Sequence, residues 1–273
     1  MPTLVASDLD RTLIYSAKAR RLGADGAPTV CVEVHDGKQA SFMTARSADL
    51  LAALAEHATL VPVTTRIVEQ YDRIRLPGPF PPAYAITANG GVLLVGGQPD
   101  KAWRAQIVTA LAQSNPLDEV WDHVAQVLHP GFTEKLRNAD GMFCYAVIKP
   151  DLLPEGFVAD VAGWAAERGW RTSLQGRKLY WVPDRLTKSA AVREVARRVG
   201  CDRVVAAGDS LLDVDLLLGA DRGIHPRHGE LYDQGWSAPT VETTPAAGIL
   251  AGEQIAQWFT DQVAEHVAPA ASG

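Results

Sequence analysis

Asp8 and Asp10 stand two residues apart directly after an apolar run, in Leu4-Val5-Ala6-Ser7-Asp8-Leu9-Asp10-Arg11-Thr12. On an extended strand, side chains at i and i+2 project to the same side, so both acids reach the end of the strand together. Like charges held that close raise one pKa unless a cation or an incoming proton offsets the repulsion. The pair therefore suits a divalent metal, with one carboxylate as nucleophile and the other as proton shuttle. Asp8 and Asp10 can equally well close a strand in a side-chain-stabilised turn, so the weight rests on what accompanies them.

Three further segments carry groups of matching chemistry. Thr64 ends the run Leu60–Val63 and offers a hydroxyl together with the free N–H groups of a helix start, a combination that binds phosphoryl oxygens; alternatively, Thr64 and Thr65 simply cap a helix beginning near Ile67. Lys188 opens another helix, where the dipole disfavours a cation. An anion sharing the site would explain it, a solvated surface lysine being the plainer alternative. Gly208-Asp209-Ser210-Leu211-Leu212-Asp213 follows the apolar run Val204–Ala207. Gly208 permits a sharp turn, and Asp209 and Asp213 add the hard carboxylate oxygens that magnesium prefers, although Asp213 can also be an acid in a helix's first turn. In an open parallel sheet, ligands bind beyond the carboxyl ends of the strands. Each of these clusters lies just after a predicted strand or at a helix start.

The elements that must position these groups alternate. Short apolar runs bounded by turn residues exchange with helix-period segments, which predicts an α/β protein with a mainly parallel sheet. After the first strand, Val30–Val34 and Ala40–Met43 flank His35-Asp36-Gly37-Lys38, whose Asp-Gly predicts a tight hairpin. This hairpin is either a flap over the site or a dimer contact. Thr44 caps a helix running to about Ala58, and strands follow at Leu60–Val63, Tyr84–Thr87 and Val92–Val95. Between about Gly97 and Pro183 the pattern becomes that of a compact α+β insert. It contains a helical stretch from Ala102 to Leu128, a strand at Met142–Ile148, a helix over 157–168, and short strands at Arg171–Leu174 and Leu179–Val182. The alternation then resumes with a helix at Ser189–Val199, the strand Val204–Ala207, a helix at Asp213–Leu218, a strand near Gly223-Ile224 and a terminal helix over Ala246–Ala264.

With 273 residues and 47% of them apolar, the chain can bury one large core and a second small one. The formal net charge of −6 and the absence of a long Lys/Arg run leave no electrostatic footprint for nucleic acid or an anionic membrane. A small soluble substrate is expected. Cys31, Cys144 and Cys201 are odd in number and far apart, which argues against a disulfide framework or a zinc knuckle and fits a reducing cytoplasm. Met1-Pro2-Thr3 lacks the basic start of a signal peptide and no window approaches the ~18 apolar residues of a membrane span. The tail from Pro269 to Gly273 is expected to fray.

Taken together, the chain resembles the haloacid dehalogenase-like phosphohydrolases. All four motifs of that family occur in order: Asp8-Leu9-Asp10-Arg11-Thr12, Val63-Thr64, Lys188, and Gly208-Asp209-Ser210-Leu211-Leu212-Asp213. The insert's position resembles the large cap of the sugar-phosphatase-like branch, as do Thr64-Thr65-Arg66 and Ala88-Asn89-Gly90-Gly91. The resemblance implies a Rossmann-like, mainly parallel α/β core over residues 1–96 and 184–273, with an inserted α+β cap domain over 97–183. It implies catalytic roles for Asp8 (nucleophile), Asp10 (acid and base), Thr64 and Lys188 (phosphoryl oxygens), with Mg²⁺ held by Asp8, Asp10 through its carbonyl, and Asp209, supported by Asp213. Thr65, Arg66, Asn89 and Arg11 are the implied substrate contacts, joined by cap residues among Arg137, Asn138, Arg177, Lys178 and Tyr180. Three positions depart from the family pattern: Arg11 and Thr65 each replace a glycine, and Leu212 replaces a frequent asparagine. The expected activity is hydrolysis of a small phosphorylated metabolite, a sugar phosphate above all, through an aspartyl-phosphate, by a cytoplasmic monomer or homodimer. A phosphomutase using the same intermediate, or a catalytically idle binding module on this fold, are the alternatives.

Overall fold

A computed structural model describes residues 3–20 and 26–267 of the chain; residues 269–273, where fraying is expected, lie outside that range. Five parallel strands form the central sheet, in the spatial order Val241–Thr243, Arg222–His225, Arg203–Ala207, Thr3–Ser7, Thr59–Pro62. Every residue of Thr3–Ser7 is buried, because both of its faces are covered. Leu4 and Ala6 join a core that includes Trp103 and Val192, while Val5 joins another around Leu51 and Phe259. A strand covered on both faces reads as a continuous apolar run, not as an alternation. The register sets Ser7 beside Ala207 on one side and Pro62 on the other. Asp8, Gly208 and Val63 therefore leave the sheet at the same end.

Asp36 and Gly37 turn the predicted hairpin with φ of 50° and 72°, the left-handed pair that an Asp-Gly hairpin turn requires. Its strands Thr29–His35 and Lys38–Thr44 join Tyr15–Ser16 in a small antiparallel sheet. Register shifts on both sides of Glu33 alter the simple alternation: Val34 is 54% exposed and Glu33 only 5%. Thr44 Oγ1 accepts from the Ser47 N–H and caps the next helix, which ends at Leu54, one turn short of the predicted Ala58.

The helical stretch expected over 102–128 is two helices, Lys101–Leu111 and Leu117–Val127. Pro116 cannot continue a helix from Asn115, having no N–H to donate. With Phe157–Ala166 these helices accompany a four-stranded antiparallel sheet, ordered Trp170–Gln175, Lys178–Pro183, Phe143–Ile148, Thr133–Ala139. Thr133–Ala139 escapes prediction because it is a polar edge strand with only Ala139 fully buried. Such charge is how edges are kept from pairing elsewhere. Tyr84–Thr87 and Val92–Val95 form a separate hairpin, tied to the central sheet through a single bridge between Val63 and Ile86.

Several contacts dock the antiparallel layer on the parallel one. Trp103 Nε1 donates to the Gly90 carbonyl at 2.8 Å, and Arg171 pairs with Asp215 at 3.2 Å. Glu230 accepts from Ser173 Oγ at 2.6 Å and from the Leu174 N–H at 2.9 Å. No helix among the described residues is long and apolar enough to cross a membrane.

Candidate active site

Lys188 is the hub. Its side chain is wholly buried, and its ammonium donates to Asp8 Oδ1 at 2.6 Å and to Asp213 Oδ1 at 2.5 Å. Burial and a helix N-terminus both disfavour a cation there, but the two carboxylates outweigh them and the lysine pKa is raised. The surface-lysine alternative is excluded by this burial.

Neighbouring turns fix where Lys188 begins its helix. Thr187 Oγ1 accepts from the Ala190 N–H as N-cap. Gly90, at φ 97°, lies so close that a Cβ on it would meet the Thr187 carbonyl oxygen at 2.2 Å, and the Asn89 side-chain amide donates to the Leu186 carbonyl at 2.9 Å. Asn89, expected at the substrate, is completely buried. It braces the site through its amide on the Leu186–Lys188 segment and through its backbone N–H, which donates to the Thr64 carbonyl at 2.9 Å.

The second carboxylate group is assembled by the loop after Arg203–Ala207. Asp213 Oδ2 accepts from the backbone N–H groups of Asp209 and Ser210 and from Ser210 Oγ at 2.7 Å, folding the segment back on itself in a capping box. Gly208 is needed for this: a Cβ there would sit 2.3 Å from Asp213 Cβ. Asp8, Asp209 and Asp213, all buried, each present a carboxylate oxygen within 4.8 Å of the others. Burial pushes Asp8 up to about 7, Asp213 adding to the rise and Lys188 opposing it. Asp209 is raised well above the ordinary carboxylate range, by burial first and Asp8 second. Three buried carboxylates against Lys188 and the partly exposed Arg11 remain short of positive charge, and an all-oxygen set of this kind fits a hard divalent cation. Asp213 Oδ2 already accepts three hydrogen bonds and its Oδ1 the Lys188 ammonium, whereas Asp8 Oδ2 takes only the Thr12 hydroxyl at 3.2 Å, so Asp8 and Asp209 are the carboxylates with capacity for one.

Asp10 faces the other way. Its carboxylate is gripped by the Arg66 fork, Nε to Oδ2 at 2.7 Å and Nη2 to Oδ1 at 2.8 Å. Burial works to raise its pKa, but Arg66 overrides this and holds it at about 2. Arg66, expected at the substrate, thus spends its fork on Asp10 and its remaining nitrogen on Glu33 Oε1 at 2.8 Å. Glu33 also accepts from Ser41 Oγ and from Arg73 Nε.

Thr64 is fully buried one residue past the point level with Asp8. Its hydroxyl accepts from the Arg66 N–H at 3.1 Å and does not cap the short helix Val68–Tyr71, whose N-cap is Ile67. Thr65 Oγ1 lies 3.5 Å from the Tyr180 hydroxyl across the interlayer gap. Arg11 keeps the left-handed turn at φ 66° that glycine would take freely, at a cost of about 1–2 kcal/mol, and its Nε lies 3.4 Å from Asp209 Oδ2.

A cleft of about 600 Å³ opens beside Asp10 and Arg11, walled on the far side by Gln175, Arg177, Lys178 and Tyr180. Arg137 is not part of this wall, and Asn138 closes its own turn by accepting from the Gly141 N–H at 2.7 Å. Two participants have no motif to announce them. Glu33 sits in a strand whose alternation points it outward until the bulges intervene. Glu230, which also accepts from the Leu211 N–H at 3.0 Å, opens the one-turn helix Glu230–Asp233, too short to leave a periodic pattern.

No protein-family model and no curated sequence matches this chain. Solved structures do. The sucrose-phosphatase of Synechocystis sp. PCC6803, solved with sucrose and phosphate, superposes with a TM-score of 0.62 at 16% identity over 95% of this chain and 99% of that one. A protein of Thermoplasma acidophilum gives 0.59 at 14% identity over 95% and 99%. A sugar phosphatase of haloacid dehalogenase subclass IIB gives 0.57 at 15% identity over 96% and 99%. The chain therefore has the core-plus-cap α/β fold of the haloacid dehalogenase-like phosphatases.

Proposed function

We propose that this chain is a Mg²⁺-dependent phosphatase that hydrolyses a small phosphorylated metabolite, with a sugar phosphate the leading class, through an aspartyl-phosphate on Asp8. The observation that carries the reading is the buried lysine held between Asp8 and Asp213 beside Asp209. Nothing in folding alone calls for one lysine among three carboxylates, since replacing buried ion pairs by apolar residues is often neutral or stabilising. The core occupies residues 1–96 and 184–273 and the cap 97–183 in this proposal, with the reaction at their junction.

Asp8 attacks phosphorus with one carboxylate oxygen, and the alcohol leaves on the opposite side. Lys188 holds the other Asp8 oxygen and presents positive charge to the phosphoryl oxygens; Thr64 adds a hydroxyl donor, its own N–H being spent on the Ile86 carbonyl at 2.8 Å. Asp8, the carbonyl of Asp10 and Asp209 would hold Mg²⁺, whose charge offsets that of the phosphoryl group when bound. Preorganised positive charge is the main resource for phosphoryl transfer. Asp10 is ionised in the arrangement described, ready to take a proton from water in the second step. To protonate the leaving alcohol it must first gain a proton, so the Arg66 fork has to loosen as substrate enters. The phosphoryl charge that draws the guanidinium away is the natural trigger.

Phosphate release from a panel of sugar phosphates, nucleotides and phosphoglycerates with Mg²⁺ supplied tests the reading. Turnover lost in Asp8→Asn is the expected result. A panel with no released phosphate, and no beryllofluoride adduct on Asp8, overturns it.

A further inference from the structure

The cleft beside Asp10 is positive in a chain that is negative overall. Arg11 and Lys18 enter it from the segments after Thr3–Ser7 and after Tyr15–Ser16, and Lys149, Arg177 and Lys178 from the four-stranded antiparallel sheet; among the described residues Asp10, Glu134 and Asp151 are its only carboxylates. Five cations against three acids leave a surplus of two, against a formal charge of −6 for the whole chain. The acids are largely committed elsewhere. Asp10 belongs to Arg66 and Glu134 to Arg177.

Three lysines remain. Among the described residues, Lys18, Lys149 and Lys178 make no ion pair. Lys178 is half-buried, with its ammonium 5.6 Å from the Tyr145 ring centroid, and Tyr180 and Asp10 favour its charged form without pairing with it. The Ile148 N–H donates to the Arg177 carbonyl at 2.8 Å, which brings Lys149 beside the Arg177-Lys178 turn. Opposite them, Arg11 holds its left-handed backbone and reaches across: a Cβ placed on Gly176 would come within 3.4 Å of Arg11 Nη1. Backbone strain retained at a cleft, where glycine would relieve it, marks a side chain with a task.

We infer that the substrate carries a second anionic group, a carboxylate or another phosphate, on its alcohol portion, and that Lys149 and Lys178 of the cap, with Arg11 and Lys18 facing them, form its binding site. This rests on the phosphatase reading above. The phosphoryl group to be transferred occupies the buried end at Asp8 and Lys188; the second anion lies outward, past Asp10, where it bridges the two layers. A neutral sugar would leave the lysines unmatched.

Steady-state kinetics on four esters decide the matter: hexose 6-phosphate and p-nitrophenyl phosphate with neutral leaving groups, hexose 1,6-bisphosphate with a second phosphate, and 3-phosphoglycerate with a carboxylate. The expected result is a kcat/KM about tenfold or more higher for at least one acidic ester, the scale of one charged hydrogen bond. Which of the two is preferred identifies the anion. Lys149→Met and Lys178→Met should each reduce that preference about tenfold, mainly through KM, and added salt should erode it. Equal use of neutral and acidic esters by the native protein, or variants that slow both classes in proportion, overturns the second-anion site while leaving the phosphatase standing. Failure to hydrolyse any of the four, p-nitrophenyl phosphate included, together with no beryllofluoride adduct on Asp8, sinks the phosphatase reading and this inference with it.

Discussion

Arg66 binds both oxygens of Asp10 while its third nitrogen donates to Glu33, so a strand of the N-terminal hairpin reaches the acid–base candidate through one guanidinium. Glu33 thereby ties the hairpin to the Asp10 side of the site. It braces the arginine that decides when Asp10 can hold a proton.

Replacing Glu33 with Gln should show this in the acid range. Burial raises the Glu33 pKa, but hydrogen bonding and charge from Arg66 more than offset it, so the folded value is lowered. A depressed carboxylate stabilises the fold fully above its unfolded value of about 4.3 and ceases to do so as pH falls through the folded one. Native protein should therefore be more stable than Glu33→Gln at neutral pH, with the gap closing on acidification below about 4.3. Urea melts from pH 3 to pH 7 measure it; a gap constant with pH would contradict the assignment.

Lys188→Met should unfold more easily by about 3–5 kcal/mol, the usual penalty for stripping one partner from a buried charge cluster. Phosphatase turnover should fall below detection. Millimolar Mg²⁺ should restore part of the melting temperature, since a cation binding only the folded state stabilises it by mass action. Thermal melts with and without the metal are the check.

Asp8→Asn should abolish turnover and yet leave the metal-free protein at least as stable as the native one near neutral pH. The native Asp8 pKa is raised to about 7 by burial. The folded state thus keeps a proton that the unfolded chain releases near 3.9, and stability falls as pH rises between the two values. In chelator, the native melting temperature should decline from pH 4 to pH 7 more steeply than that of Asp8→Asn. Parallel curves would count against a shifted Asp8.

Glu230→Ala removes the acceptor for Ser173 Oγ and the N–H groups of Leu174 and Leu211. Loosening of the two layers should appear as faster hydrogen exchange over Trp170–Gln175 and about a tenfold loss of kcat/KM, the equivalent of one or two net hydrogen bonds. Unaltered exchange in that strand would show the layers to be held by other contacts.

Much of this was legible in advance because the central sheet is simple. Thr3–Ser7 and Arg203–Ala207 are continuous apolar runs, and the polar motifs directly follow them, so strand ends and candidate site coincide in the text of the chain. What was not legible depends on irregularity. Bulges around Glu33 altered the inward face of its strand, and alternation cannot show a bulge. Asn89 belongs to a readable Asn-Gly turn, but only three-dimensional packing reveals that its amide faces Leu186 rather than solvent. Thr133–Ala139 lacks the apolar content of a strand because it lies at an edge, and the break before Leu117 was hidden inside a long helix-like pattern.

Thr3–Ser7 leaves the ribosome long before Arg203–Ala207, one of its two neighbours in the central sheet. Until residue 207 has been made, one edge of this wholly buried strand stays open to other chains. Residues 99–183 have no such wait, since all four strands of their sheet are local to that stretch. Synthesis from N- to C-terminus thus lets the middle of the polypeptide mature before its beginning. A circular permutant opened near residue 97 would bring the late strand out first, and its yield of soluble protein at high expression should exceed that of the native order.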